Sequence, residues 1–157
     1  MKSKTKTYVW SIVLTLAVGA LSTLFTMGNM DIYNDFVSPA LSPPAILFPV
    51  VWTILYILMG ISIGRVINKG RDKGIHILPA VGVYITQLIV NFLWSIIFFN
   101  YRAFLFSFAW LLLLWFLIID MIFKFYKISK ISAYINIPYL LWVTFAGYLN
   151  LMIYILN

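Results

Sequence analysis

The chain has no cysteine and no glutamate, and its single histidine is His76. Without cysteine there are no disulfides, thiolate metal centres or thiol nucleophiles. With one histidine and no glutamate, the zinc-binding helix His-Glu-x-x-His cannot be written. A Ser-His-Asp triad needs a histidine beside a nucleophile, and His76 sits in the basic stretch Lys69–His76 instead. The only acids are Asp31, Asp35, Asp72 and Asp120. Proton- and ion-coupled carriers keep carboxylates at membrane depth. Only Asp120 falls inside an apolar run, and Lys124 one helical turn later is its expected partner.

Charge of either sign is scarce. Charged residues make up 10% of the 157, hydrophobic residues 64%, and mean hydropathy is +1.01. A soluble domain has about 25% charged residues, so this chain could not cover its apolar surface in water. It reads as an all-α integral membrane protein of one domain. Five runs are long enough to span, each needing about 20 mostly apolar residues. They are residues 8–27, 45–68, 77–99, 104–125 and 133–156. Lys2, Lys4, Lys6 and the small residues Ala17–Ala20 imitate a signal peptide, but the apolar run continues to Met27, too long for an ordinary leader.

Lysine and arginine set the expected orientation. Lys2, Lys4, Lys6, Arg65, Lys69, Arg71, Lys73, Lys124, Lys127 and Lys130 fall on one side of a five-span chain, and only Arg102 on the other. The N-terminus is therefore expected in the cytoplasm and the C-terminus outside. This topology signal, with contact to anionic lipid, accounts for the net charge of +7 without a nucleic-acid partner.

Residues 28–44 form the longest segment outside the spans, with no obvious secondary structure. Pro43 and Pro44 suit entry to a helix. In the second span Phe48, Trp52, Tyr56, Gly60 and Gly64 recur every four residues along one stripe, and Gly60-x-x-x-Gly64 permits close helix approach. In the third, Gln87, Asn91, Trp94/Ser95 and Phe98 share a face, and the amides should point into the bundle to find partners. In the fifth, Pro138 is expected to kink the helix, with Trp142, Phe145/Ala146 and Leu149/Asn150 following on one face. Each stripe alone reads most simply as helix–helix packing. Together, Trp52, Trp94 and Trp142 could also wall a flat pocket to which Asn91 supplies a polar contact.

The run Pro43-Pro44-x-x-x-Phe48-Pro49-x-x-Trp52-x-x-x-Tyr56-x-x-Met59-Gly60 resembles the second-helix signature of the translocator protein family. That family is also called tryptophan-rich sensory protein or peripheral-type benzodiazepine receptor. Asn91-x-x-Trp94-Ser95-x-x-Phe98-Phe99 resembles its third-helix motif, and Pro138-Tyr-x-x-Trp142-x-x-Phe145-Ala146-x-Tyr148-Leu149-Asn150 its fifth. The resemblance, closest in kind to bacterial members, implies a five-helix bundle in the cytoplasmic membrane and a homodimer. It implies a pocket for tetrapyrroles such as protoporphyrin IX and for planar aromatic drugs such as isoquinoline carboxamides. Transport, sensing and light-dependent porphyrin breakdown are the activities it implies. Trp52 and Trp142 would be the reactive pair; Pro43, Phe48, Tyr56, Asn91, Trp94, Phe98, Phe145 and Ala146 would contact ligand. No metal or resident cofactor is called for. Porphyrin enters as ligand or substrate, and the pocket offers no histidine for axial haem ligation.

This sequence departs from the family in one loop. The family pattern Lys-Pro-x-Trp-x-Pro-Pro stands here as Ser38-Pro39-Ala40-Leu41-Ser42-Pro43-Pro44, without the basic residue and without the tryptophan. The sterol pattern of animal members, a basic residue after a tyrosine, is absent from Tyr154–Asn157. The competing readings are a non-catalytic membrane protein that modulates partners when ligand binds, and a small-solute carrier. The lack of intramembrane charge counts against the carrier for charged solutes.

Overall fold

In lipid every backbone N–H and C=O must find a partner within the chain, so long apolar runs become helices. A computed structural model describes residues 2–157, with the backbone only for Tyr33. The helices are α1 (Lys2–Thr26), α2 (Ile32–Asp35), α3 (Leu47–Lys73), α4 (Leu78–Ser95), α5 (Phe104–Ile128), α6 (Lys130–Ile135) and α7 (Ile137–Leu156). A 3₁₀ turn at Met27–Asn29 ends the first span, and a π-helical turn at Ile96–Asn100 ends the third. The described residues contain no strand. Five helical segments are long and apolar enough to cross a membrane: α1, α3, α4 and α5 with their terminal turns, and α6 with α7 as the fifth.

The helices outrun the apolar stretches at the basic end. The stretch after the second span stays helical to Lys73, where Arg71 and Lys73 face the negative end of the helix dipole. Gly74 then stops the helix with φ 64°, and its N–H reaches back to the carbonyls of Arg71 and Gly70. In the fifth span the break falls at Asn136, just before Pro138. Pro138 lies in the first turn of α7, where a missing N–H costs no helical bond. At the break Asn136 N–H goes to the Ala133 carbonyl, and side chains reach the Ser132 carbonyl that it leaves. Ser62 Oγ donates to the Ser132 carbonyl at 2.8 Å, and Asn136 Nδ2 donates to the same oxygen at 2.9 Å.

α1 packs chiefly on α3, while α5 packs on both α4 and α7. Small residues let α1 and α3 close. A Cβ added at Gly60 would stand 2.6 Å from Ile12 Cα, and one at Gly64 would meet Tyr8 at 2.9 Å. Near the basic end Met59, Val66, Leu114, Ile118, Met121 and Phe125 are fully buried and form an apolar core. Toward the other end α3 faces α7 across rings, Phe48 on Trp142 at 5.8 Å and Trp52 on Tyr139 at 6.2 Å. The bundle is thus solid at its basic half and hollow at the other.

The segment between α1 and α3 closes over the hollow half. It is not featureless, because Ile32 buries its side chain and anchors α2. Val37 N–H donates to Asn157 Oδ1 at 3.0 Å, and Tyr148 OH donates to the Ala40 carbonyl at 2.9 Å. Both contacts tie the segment to α7.

Candidate ligand pocket

The hollow is a cavity of about 520 Å³, bounded by α1, α3, α4 and α7. That volume falls within the range of about 300–1,000 Å³ usual for small-molecule sites. Trp52 comes from α3, Trp94 from α4 and Trp142 from α7, and all three line it. Trp52 stacks on Tyr56 at 5.7 Å, and Trp94 stacks on Phe98 at 5.4 Å. Phe48, one turn before Trp52, packs edge-on against Trp142. These are flat apolar walls with few polar groups.

The polar groups form two sets with different freedom. At the floor, Tyr139 OH donates to Gln87 Oε1 at 2.7 Å, and Asn91 Nδ2 donates to Tyr139 OH at 2.8 Å. Tyr56 OH reaches Asn91 Oδ1 only at 3.5 Å, the outer limit of a hydrogen bond. Tyr56 and Asn91 line the cavity, and that loose contact leaves the Tyr56 hydroxyl and Asn91 Oδ1 available to a ligand while Asn91 Nδ2 stays on Tyr139. At the opposite wall Asn150 Oδ1 accepts from Trp94 Nε1 at 3.2 Å and from Ser107 Oγ at 2.9 Å. Its Nδ2 donates to the Phe104 carbonyl at 2.8 Å. Asn150 Oδ1 is therefore doubly engaged, and it fixes the indole of Trp94.

Trp142 stands apart from these. Its Nε1 is buried and has no hydrogen-bond partner among the described residues. A buried donor without a partner costs about 1–3 kcal/mol, and here it belongs to a residue of the cavity wall.

Of the ten residues singled out from the sequence, Trp52, Trp142, Phe48, Tyr56, Asn91, Trp94, Phe98 and Ala146 line this cavity. Pro43 and Phe145 do not. Pro43 stays in the connection, where Ala45 and Met30 make the wall instead. Phe145 lies on the flank of α7. It packs on Trp142 at 5.6 Å and stacks on Tyr148 at 6.3 Å, so it backs the wall without facing the space. Leu41, where the family pattern has its loop tryptophan, is 80% exposed at φ 68° and also lies outside the cavity.

The family model for the TspO/MBR family matches residues 11–156. The chain belongs to the TspO/MBR family. It is 37% identical over 158 residues to the tryptophan-rich protein TspO of Chlorobaculum tepidum, covering 100% of this chain and 99% of that one. It is 34% identical to the protein CrtK of Rhodobacter capsulatus, over 92% of this chain and 89% of CrtK. It is 27% identical to the translocator protein of Bos taurus, over 84% and 79% of the two chains. This TspO/MBR member is a multi-pass membrane protein.

Sequence reasoning missed one wall of the pocket in this family member. α1 contributes Leu16, Gly19, Ala20, Ser22, Thr23 and Thr26. The signal was present: Ser11, Thr15, Gly19, Ser22 and Thr26 recur at helical spacing in an otherwise bulky apolar run, and all are buried. The hydroxyls of Thr15, Ser22 and Thr26 are satisfied. Thr15 and Thr26 donate to the carbonyls one turn back at 2.7 and 2.8 Å, and Ser22 Oγ donates to Ser95 Oγ at 2.9 Å. The stripe therefore presents a smooth, low wall, and the cavity owes its width to it.

Proposed function

We propose that the chain binds tetrapyrroles of the protoporphyrin IX type in this cavity and degrades them in light. The observation that carries the reading is the convergence of Trp52, Trp94 and Trp142 from three helices on one partly open cavity. Indole faces stack on planar aromatic ligands, and apolar burial contributes about 25 cal/mol per Å² before association costs. The free Trp142 N–H and the loosely held pair of Tyr56 and Asn91 supply polar contacts at two separate points. The same features suit planar aromatic drugs such as isoquinoline carboxamides.

The chemistry follows from what the wall contains. A photoexcited porphyrin takes an electron from a neighbouring indole, leaving an indole radical cation and a porphyrin radical anion. The porphyrin radical anion passes its electron to dioxygen as superoxide, and the indole radical cation takes an electron back from the porphyrin. Superoxide adds to the resulting porphyrin radical cation, so that one porphyrin and one dioxygen give one dioxygenated product and the indole is restored. Trp52 and Trp142 are the donors in this reading. The test is illumination of purified protein with protoporphyrin IX, following absorption and product mass. Loss of pigment with a defined oxygenated product supports the reading. Tight binding with no light-dependent loss overturns the catalytic part and leaves a ligand-gated membrane regulator.

A further inference from the structure

The solid end of the bundle carries a second concavity. It is a crevice of about 360 Å³ between the last turns of α3 and the junction of α5 with α6. Arg65, Lys69 and Lys73 border it from α3, at a four-residue spacing that puts them along one helix face. Lys127 and Lys130 border it from the other wall, beside Tyr126. Five cations converge on one hollow.

None of the five has a carboxylate within ion-pair distance among the described residues. The ion pairs there are Lys4–Asp72, Arg102–Asp35 and Lys124–Asp120. The fourth acid, Asp31, lies beyond the far end of α1. The chain therefore holds no spare acid for the crevice. Three of the cations are nevertheless held in place. Arg65 Nε donates to Ser129 Oγ at 3.2 Å, and Lys73 Nζ donates to the Ile128 carbonyl at 3.2 Å. Lys130 stands over the Tyr126 ring, 5.5 Å from its centre. Positioned cations around an open hollow, near which the acid Asp72 is already paired with Lys4, match an oxyanion with several acceptor oxygens.

One wall of the crevice is apolar. Ile131 borders it and is exposed on the side of the bundle, and Tyr134 is exposed one turn further along the same face. The Tyr134 ring packs edge-on against Tyr126 at 6.1 Å. A charged hollow that runs into an exposed apolar strip beside spanning helices suits a molecule with an anionic head and a hydrocarbon tail. We infer that this crevice binds the phosphate of an anionic phospholipid, with the tail lying along Ile131 and Tyr134. The site is separate from the cavity and does not depend on what the cavity binds.

Native mass spectrometry of the full chain in neutral detergent tests this, with phosphatidylglycerol and phosphatidylcholine as probes. Phosphatidylglycerol is retained and phosphatidylcholine is not. Lys69→Gln with Lys127→Gln weakens retention about tenfold. Lys69→Arg with Lys127→Arg keeps it, which separates loss of the site from loss of the fold. Lys2→Gln with Lys6→Gln removes the same charge at the same end outside the crevice and leaves retention within about twofold. Equal losses from both glutamine pairs, or equal retention of the two lipids, overturn the site in favour of diffuse attraction. Inorganic phosphate bound while phosphatidylglycerol is refused overturns the lipid and assigns the crevice to a soluble phosphate.

Discussion

Asn91 donates its amide N–H to the hydroxyl of Tyr139 at 2.8 Å, and this bond joins α4 to α7 beneath the cavity. The Tyr139 hydroxyl donates in turn to Gln87 Oε1, and Gln87 also lies against Met59 of α3. Three helices are thereby held at the height where the core stops and the hollow begins. The floor of the pocket is a structural tie as much as a ligand contact.

Tyr139→Phe removes both hydrogen bonds and leaves the Gln87 and Asn91 amides short of partners. Interhelical hydrogen bonds in membranes are worth about 1–2 kcal/mol at most, and the variant should lose stability of that order. Thermal unfolding in detergent reads it. Asn91→Ala should cost a similar amount, and the double variant less than the sum, since both act on one network. Additive losses would show two independent contacts.

Two glycines in the spans should respond with opposite sign. Gly60→Ala forces a methyl group against the backbone of Ile12, which cannot step aside without moving α1. Overpacking of this kind costs about 1–3 kcal/mol. Gly82, inside α4, has nothing among the described residues within 4 Å of a built Cβ. There alanine should stabilise by about 0.5–1 kcal/mol through helix propensity alone. Melting temperatures of the two variants, measured side by side, decide the point.

The spans were legible because hydropathy over 20 residues is a strong signal. Their ends were not, because basic residues at Lys69–Lys73 continue the helix once they can reach water. The aromatic wall was legible from four-residue spacing on α3 and α7. Phe145 and Ala146, three and four residues past Trp142, both lie near its face, and only packing decides that Ala146 lines the cavity while Phe145 stacks on Tyr148. The α1 wall was overlooked because small residues announce a helix contact and a cavity with the same pattern. The short helix at Ile32–Asp35 depends on burying one isoleucine, which no periodicity records.

The charge bias makes a topological prediction. A reporter fused after Asn157 should be active outside the cytoplasmic membrane, and one fused in the loop around His76 should be active inside. The reverse pattern would overturn the orientation while leaving the bundle intact.

Porphyrin binding should be independent of histidine. His76 is exposed in the connection between α3 and α4, at the end of the bundle away from the cavity, and does not line it. His76→Ala should leave the dissociation constant for protoporphyrin IX within about twofold, as expected for surface substitutions away from a site. Fluorescence titration measures this directly. A large loss of affinity would point to ligation or to a loop coupled to the pocket.

The last prediction separates binding from chemistry at the two reactive tryptophans. Trp52 stacks on Tyr56, and Trp142 meets Phe48, so phenylalanine at either position keeps an aromatic surface in the wall. What it removes is the readily oxidised indole. Trp52→Phe and Trp142→Phe should each suppress light-driven porphyrin loss at least about tenfold, which is about 1.4 kcal/mol on the barrier. Affinity should fall less than that. Trp142→Phe should also stabilise the empty protein slightly, because it deletes a buried N–H with no partner. Trp94→Phe is the contrast, since its N–H is bound to Asn150 and its loss leaves that acceptor underused. That variant should lower stability and spare the photochemistry. Bleaching rates per bound porphyrin, at matched occupancy and oxygen, are the measurement. Wild-type rates in both the Trp52 and Trp142 variants would remove the catalytic role and leave the two rings as walls of a binding site.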